Sequence, residues 1–231
     1  MRALLILIVV LTITLVVGDR VGVVVAQNEI GRKVAAEYNL PRQPDVEIGG
    51  FPFLTQAVDG TYREIDIRIG DWSGGDISVR NLDVALTDVS APLADVIGNR
   101  TSNLVAGTAT ATAVVPFDVV QRFAPSGVES ISNSPEGLRA TGTFKVAGLS
   151  VPATVFATVA LTEAGIEVTP VSVQAVGGGP TVSLALVRQS LAFVVPLEEL
   201  PLGARLTAIQ PGDDGLHATA VAHDVRFEDL P

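Results

Sequence analysis

The side chains best equipped for chemistry are few and scattered. His217 and His223 are the only histidines, and Asp224 follows the second. An imidazole beside a carboxylate is the start of a hydrolytic dyad, but the chain has no Gly-x-Ser-x-Gly elbow, and neighbours on a strand face opposite ways. Six strand residues at about 3.3 Å each separate the two imidazoles by about 20 Å, too far to share one metal ion without a bend. Asp213-Asp214 offers fewer closely spaced oxygens than calcium takes and reads as a solvated turn. Gly177-Gly178-Gly179-Pro180 lacks the lysine and hydroxyl residue of a phosphate loop and reads as a linker. With no cysteine, disulfides, thiolate nucleophiles and thiolate metal sites are excluded. The reading is a non-enzyme with no catalytic residue, metal site or cofactor.

The 231 residues are 48% hydrophobic and only 17% charged, against an ordinary charged share of about 25%. Such a chain buries a large core. Its formal net charge of −10 supplies no basic field of the kind that recruits nucleic acid.

The elements that position these residues begin with a leader. Arg2 precedes an almost wholly apolar run over residues 3–17, followed by Gly18-Asp19-Arg20. The run matches a signal-peptide core or a short membrane span. Val24-Val25-Ala26 suits cleavage, whereas Asp19 is placed to cap a helix over residues 20–39 that such cleavage would sever. The expectation is an uncleaved signal anchor, Arg2 inside and everything after Gly18 outside. Residues 1–18 are then anchor or signal peptide, 19–43 an amphipathic helix with Val23, Ile30, Val34 and Ala35 at helical spacing, and 44–231 one exported domain. Pro41 and Pro44 end the helix.

Beyond that point the period changes to two. Residues 45–48 and 62–69 alternate, placing Ile65, Ile67 and Ile69 opposite Glu64, Asp66 and Arg68. Residues 77–89 alternate with a phase slip near Asn81, the mark of a β-bulge. Short helices are expected over residues 91–98, 117–123 and 183–191. Strands are expected over 138–146, 151–161, 166–176, 205–210 and 216–227. Three of them open on an acidic turn and a glycine, Gly137, Gly165 and Gly215, the chemistry of hairpin turns. Residues 70–76, with Trp72, read as a loop whose ring covers a hairpin end or rests among lipid headgroups.

Residues 108–115, 151–161 and 216–222 are built largely from alanine, valine and threonine. A sheet of such small residues leaves space beside it, to be filled by a helix, by close packing or by a lipid chain. Gly49-Gly50-Phe51-Pro52-Phe53-Leu54-Thr55-Gln56 projects apolar bulk where a turn is normally polar, either plugging the core or forming a lip at a cavity mouth.

That string, with Pro44-Asp45-Val46-Glu47-Ile48 before it, the Asp19-Arg20 junction, Leu200-Pro201-Leu202-Gly203 and the Asp214-Gly215-Leu216 turn, resembles the LmeA-like phospholipid-binding family of actinobacterial envelope proteins. The resemblance implies an α+β fold similar to tubular lipid-binding domains, a long curved antiparallel β-sheet wrapped around helix. It also implies a non-catalytic phospholipid carrier or presenting protein that supports envelope lipid or lipoglycan assembly. Its place would be the outer face of the cytoplasmic membrane or a periplasm-like space, with envelope-biosynthesis proteins as partners.

On the combined reading, Phe51, Phe53 and Leu54 stand at an entrance and Phe144, Val146, Val155, Val159 and Phe193 form a wall. Arg63 and Arg68 are candidates for the headgroup phosphate. The alternative is a membrane-tethered scaffold with a filled core and no ligand.

Overall fold

The structure is a computed structural model and describes residues 2–74, 77–92, 104–146, 149–162, 165–175, 191–195 and 200–226. A single helix, α1 (Arg2–Glu37), runs through both the apolar leader and the segment expected to form a separate helix. Gly18 does not interrupt it, since a glycine weakens a helix by only about 1 kcal/mol. Asp19 therefore lies inside the helix and does not cap it. The chain leaves α1 through Asn39 in the left-handed region (φ 49°), with Leu40 N donating to Ala35 O at 2.9 Å, and Pro41 follows.

Two antiparallel sheets follow. The first has the order β1 (Asp45–Ile48), β2 (Thr61–Gly74), β3 (Ile77–Ser90), β4 (Val105–Val115), β11 (Leu216–Arg226), β10 (Arg205–Pro211). The second has the order β5 (Val128–Ser134), β6 (Gly137–Val146), β7 (Leu149–Thr162), β8 (Gly165–Ala175), β9 (Phe193–Val195). Helix α2 (Phe53–Asp59) links β1 to β2, α3 (Phe117–Arg122) follows β4, and a short 3₁₀ turn (Pro201–Gly203) precedes β10. β10 lies against β7, and Asn133 Nδ2 donates to Asp213 Oδ1 at 2.9 Å across the two sheets.

The fold class is α+β, as expected, with its strands divided between two sheets. The bulge near Asn81 is present: Asn81 has φ 49°, and the β3–β4 register shifts between Arg80 and Asp83. Gly137, Gly165 and Gly215 all take positive φ at their hairpins. Residues 71–74 belong to β2 and do not form a loop, and the Trp72 ring lies over Gly74. Residues 91–92 are not helical; the rest of the helix expected there and nearly all of the one expected over 183–191 lie outside the described residues.

Register sorts the small residues. On one face of the first sheet stand Val46, Ile48, Ile65, Ile67, Val84 and Leu86, continued by Ala109, Ala111 and Ala113 on β4 and Ala218, Ala220 and Ala222 on β11. The opposite face carries Glu47, Asp66, Asp83 and the threonines Thr108, Thr110 and Thr112. α1 covers the large-residue end, where Val23 is buried among Val46, Ile48, Phe53, Ile65 and Leu86, with Ala26 and Ile30 beside it.

Candidate functional site

Strand alternation breaks along one row of the first sheet. Leu86 and Val89 are three apart and should face opposite ways, yet both are buried in the same core, as are Ala222 and Val225. Between them Asp88 and Asp224 take φ 52°, and both stand opposite Gly107 in the ladder. Aspartate tolerates this left-handed backbone better than most residues. On β2 the residue opposite Asp88 is Arg63, and Tyr62 and Ile65, three apart on either side of Arg63 and Glu64, also both face that core. The result is a crease crossing four strands, and it brings Arg63 and Asp88 together at one end of the sheet.

A pocket of about 350 Å³ opens there, lined by Phe51, Asp59, Tyr62, Arg63, Asp88 and Ser90 among others. The motif string builds its wall. Gln56 Nε2 donates to Gly49 O at 3.1 Å, while its Oε1 accepts Arg63 N at 3.1 Å, so one amide side chain ties the turn to the start of β2. Gly50, at φ 92°, lies so close to that amide that a Cβ would meet Gln56 Nε2 at 2.9 Å. Tyr62 is half-buried 6.2 Å from the Phe53 ring, and burial pushes its phenol above the usual range, so it meets the pocket as a neutral hydroxyl.

α1 is locked to the same turn. Asp19, 3% exposed, accepts Leu54 N through Oδ1 at 2.8 Å, supplying from outside the cap that Pro52 cannot provide for α2. Its Oδ2 has no hydrogen-bond donor among the described residues; the nearest cation is Arg20 Nη2 at 3.8 Å. The Arg20 guanidinium also sits 4.9 Å from the centre of the Phe51 ring. α1 is long and apolar enough to cross a membrane, and its residues from Leu4 to Val17 are exposed.

The expected entrance residues separate. Phe51 and Leu54 are exposed beside α1, whereas Phe53 points into the core at 7% exposure, because it is the first residue of α2 on the face toward Ile48 and Ile65. The expected wall lies on the second sheet. Phe144 and Val155 are buried with Ala153, and Val159 and Phe193 flank Val168 on the same apolar face. The side chain of Val146 lies outside the described residues. Arg63 lines the pocket, but Arg68 does not: its Nη1 is 3.1 Å from Asp45 Oδ2 and its Nη2 3.1 Å from Glu47 Oε2 on the polar face. The hydrogen bonds that it donates to Glu47 and then Asp45 raise its pKa further.

Sequence reasoning missed Asp19 as a partner of α2, Gln56 as a clasp and the crease. Asp19 carried a usable signal, since a lone acid at the end of an apolar run must find a donor if it is buried. The histidines stay apart: His217 Nε2 is 2.7 Å from Asp214 Oδ1, which lowers the Asp214 pKa, and His223 Nδ1 is 3.3 Å from Thr108 Oγ1.

Residues 17–221 match the profile of the LmeA-like phospholipid-binding family. The chain belongs to that family. The matched LmeA-like region takes in the docking half of α1, the turn, the β2, β3 and β4 parts of the crease and most of both sheets. No curated protein and no solved structure is similar enough to this chain to count as a match.

Proposed function

We propose that this chain is a non-catalytic phospholipid-binding protein that carries or presents lipid at the cell envelope, in support of envelope lipid or lipoglycan assembly. The observation that carries the reading is the alanine strip. Ala109, Ala111, Ala113, Ala218 and Ala220 share the core-bearing face and are only partly buried, so a row of methyl groups runs along β4 and β11. An acyl chain laid there gains about 0.8 kcal/mol for each methylene removed from water. The second sheet offers Phe144, Val155, Val159 and Phe193 as further apolar wall, and the crease pocket offers Arg63 for the phosphate.

In this reading α1 is retained as the anchor and the domain stands on the outer face of the membrane. Cleavage after Ala26 would remove Asp19 and Val23, and with them the acceptor for Leu54 N and part of the core. Lipid extraction of the purified full-length protein followed by mass spectrometry tests the function. Co-purified or exchangeable phospholipid near one per chain is expected; none at all would remove the carrier reading.

A further inference from the structure

α2 has three faces. Phe53 and Ala57 point into the core, Thr55 and Asp59 line the crease pocket, and Leu54 and Val58 point outward together with Phe51. Val58 is 78% exposed and Phe51 55%, although the chain has ample core in which to bury them. Leu54 adjoins α1 at Gly22, where a Cβ would meet Leu54 Cδ2 at 3.4 Å, and on the side of α1 away from the sheet Val21, Val24 and Val25 are exposed as well.

The length of the leader says what covers this surface. Residues 3–17 are fifteen, a helix of about 22 Å at about 1.5 Å per residue, whereas the hydrocarbon layer is about 30 Å thick. The deficit of about 8 Å is roughly five more residues, which brings the bilayer boundary to the level of Gly22. Asp19, the one acid in that interval, is buried against Leu54 N, and Arg20 lies over Phe51, where a long cationic side chain can reach the headgroups.

We infer that Phe51, Leu54 and Val58 form a second membrane contact, lying in the boundary layer of the bilayer that α1 enters. The inference rests on the anchor reading of α1. It places the crease pocket, one helix face away on α2, at headgroup depth, so a lipid passes from bilayer to pocket without the domain leaving the surface.

The absence of native cysteine permits a direct test in full-length protein reconstituted into vesicles of phosphatidylcholine and phosphatidylglycerol. Leu11→Cys, Val58→Cys and Ser132→Cys are each labelled with an environment-sensitive fluorophore and quenched by lipids brominated at shallow or deep positions. The expected result is deep quenching at position 11, at least twofold stronger shallow than deep quenching at 58, and none at 132. Quenching at 58 no greater than at 132, with 11 quenched, overturns the inference and leaves the anchor standing. A blue-shifted label at 58 that bromine does not quench means another protein or a second copy covers the face, and overturns it too. An unquenched label at 11 removes the anchor reading and this inference together. Val58→Asp supplies a second readout, with shallow quenching of a Leu54→Cys label falling at least twofold; no change there also counts against the contact.

Discussion

The Asp19 carboxylate and the Leu54 amide, 35 positions apart in sequence, meet at 2.8 Å and join the leader helix to the first turn of α2. Removing the acceptor leaves a part-buried amide unpaired, which costs about 1 to 3 kcal/mol. Asp19→Ala is expected to lower stability by about that amount in thermal unfolding of the full-length protein, with Asp19→Asn losing less because it keeps an oxygen. Equal stability of Asp19→Ala and the unaltered protein would show that the contact contributes nothing.

Two glycines of α1 should respond to alanine with opposite signs. A Cβ at Gly31 would meet Pro44 O at 2.8 Å and Gln43 Nε2 at 2.9 Å, while one at Gly18 meets nothing within 4 Å. Gly18→Ala should gain about 0.5 to 1 kcal/mol from helix propensity. Gly31→Ala should lose about 1 to 3 kcal/mol, because backbone displacement outweighs that gain. Comparison of the two unfolding midpoints decides it.

Filling the alanine strip tests it as the seat of the acyl chain. Ala111 and Ala220 are paired across β4 and β11, so Ala111→Leu with Ala220→Leu places extra bulk at one level of it. The double variant is expected to fold, with unchanged far-ultraviolet circular dichroism, and to lose most exchangeable phospholipid by native mass spectrometry. Full lipid occupancy in the folded double variant would mean that the acyl chain lies elsewhere.

Arg63 and Arg68 should differ. Loss of one charge-assisted hydrogen bond to phosphate is about 1.5 to 3 kcal/mol, so Arg63→Ala should weaken binding of a fluorescent phosphatidylethanolamine at least tenfold. Arg68→Ala should leave that affinity within about twofold, a difference of less than about 0.5 kcal/mol, since its partners are Asp45 and Glu47. A fluorescence titration in which the two variants lose affinity equally would displace the phosphate from the crease pocket.

The His217 imidazole beside Asp214 holds that carboxyl below the usual carboxylate range. With the folded pKa depressed, whatever the pair contributes is present above the unfolded carboxylate pKa and is lost as the pH falls through the folded value. Both side chains are exposed, so the clear readout is titration, not unfolding. His217→Ala should raise the Asp214 midpoint toward the ordinary carboxylate value, followed at its carboxyl carbon by NMR, because the imidazole is the largest of the causes that lower it; an unmoved midpoint would show that the imidazole does not set it.

Local patterns carry much of this protein. Alternation marked β1, β2 and β3, proline stopped α1, acidic Gly turns opened β6, β8 and β11, and the Gly-Phe-Pro-Phe string marked both the family and one wall of the pocket, because each depends on neighbours within a few residues. Phe51 and Phe53 show where that reach ends. Two positions apart in one motif, they read alike, yet one is exposed beneath Arg20 and the other is buried beside Tyr62, since α2 begins between them and turns them onto different faces.

Composition announced small strand residues, but only cross-strand register put the alanines inward and the threonines outward. The crease likewise joins Arg63, Asp88, Gly107 and Asp224 from four strands, a row that no sequence window contains. Asp19 was visible as an acid at the end of an apolar run, and its partner was not: a buried carboxylate requires a donor, but which amide answers is settled by the docking of α1 on α2, a contact between segments far apart along the chain.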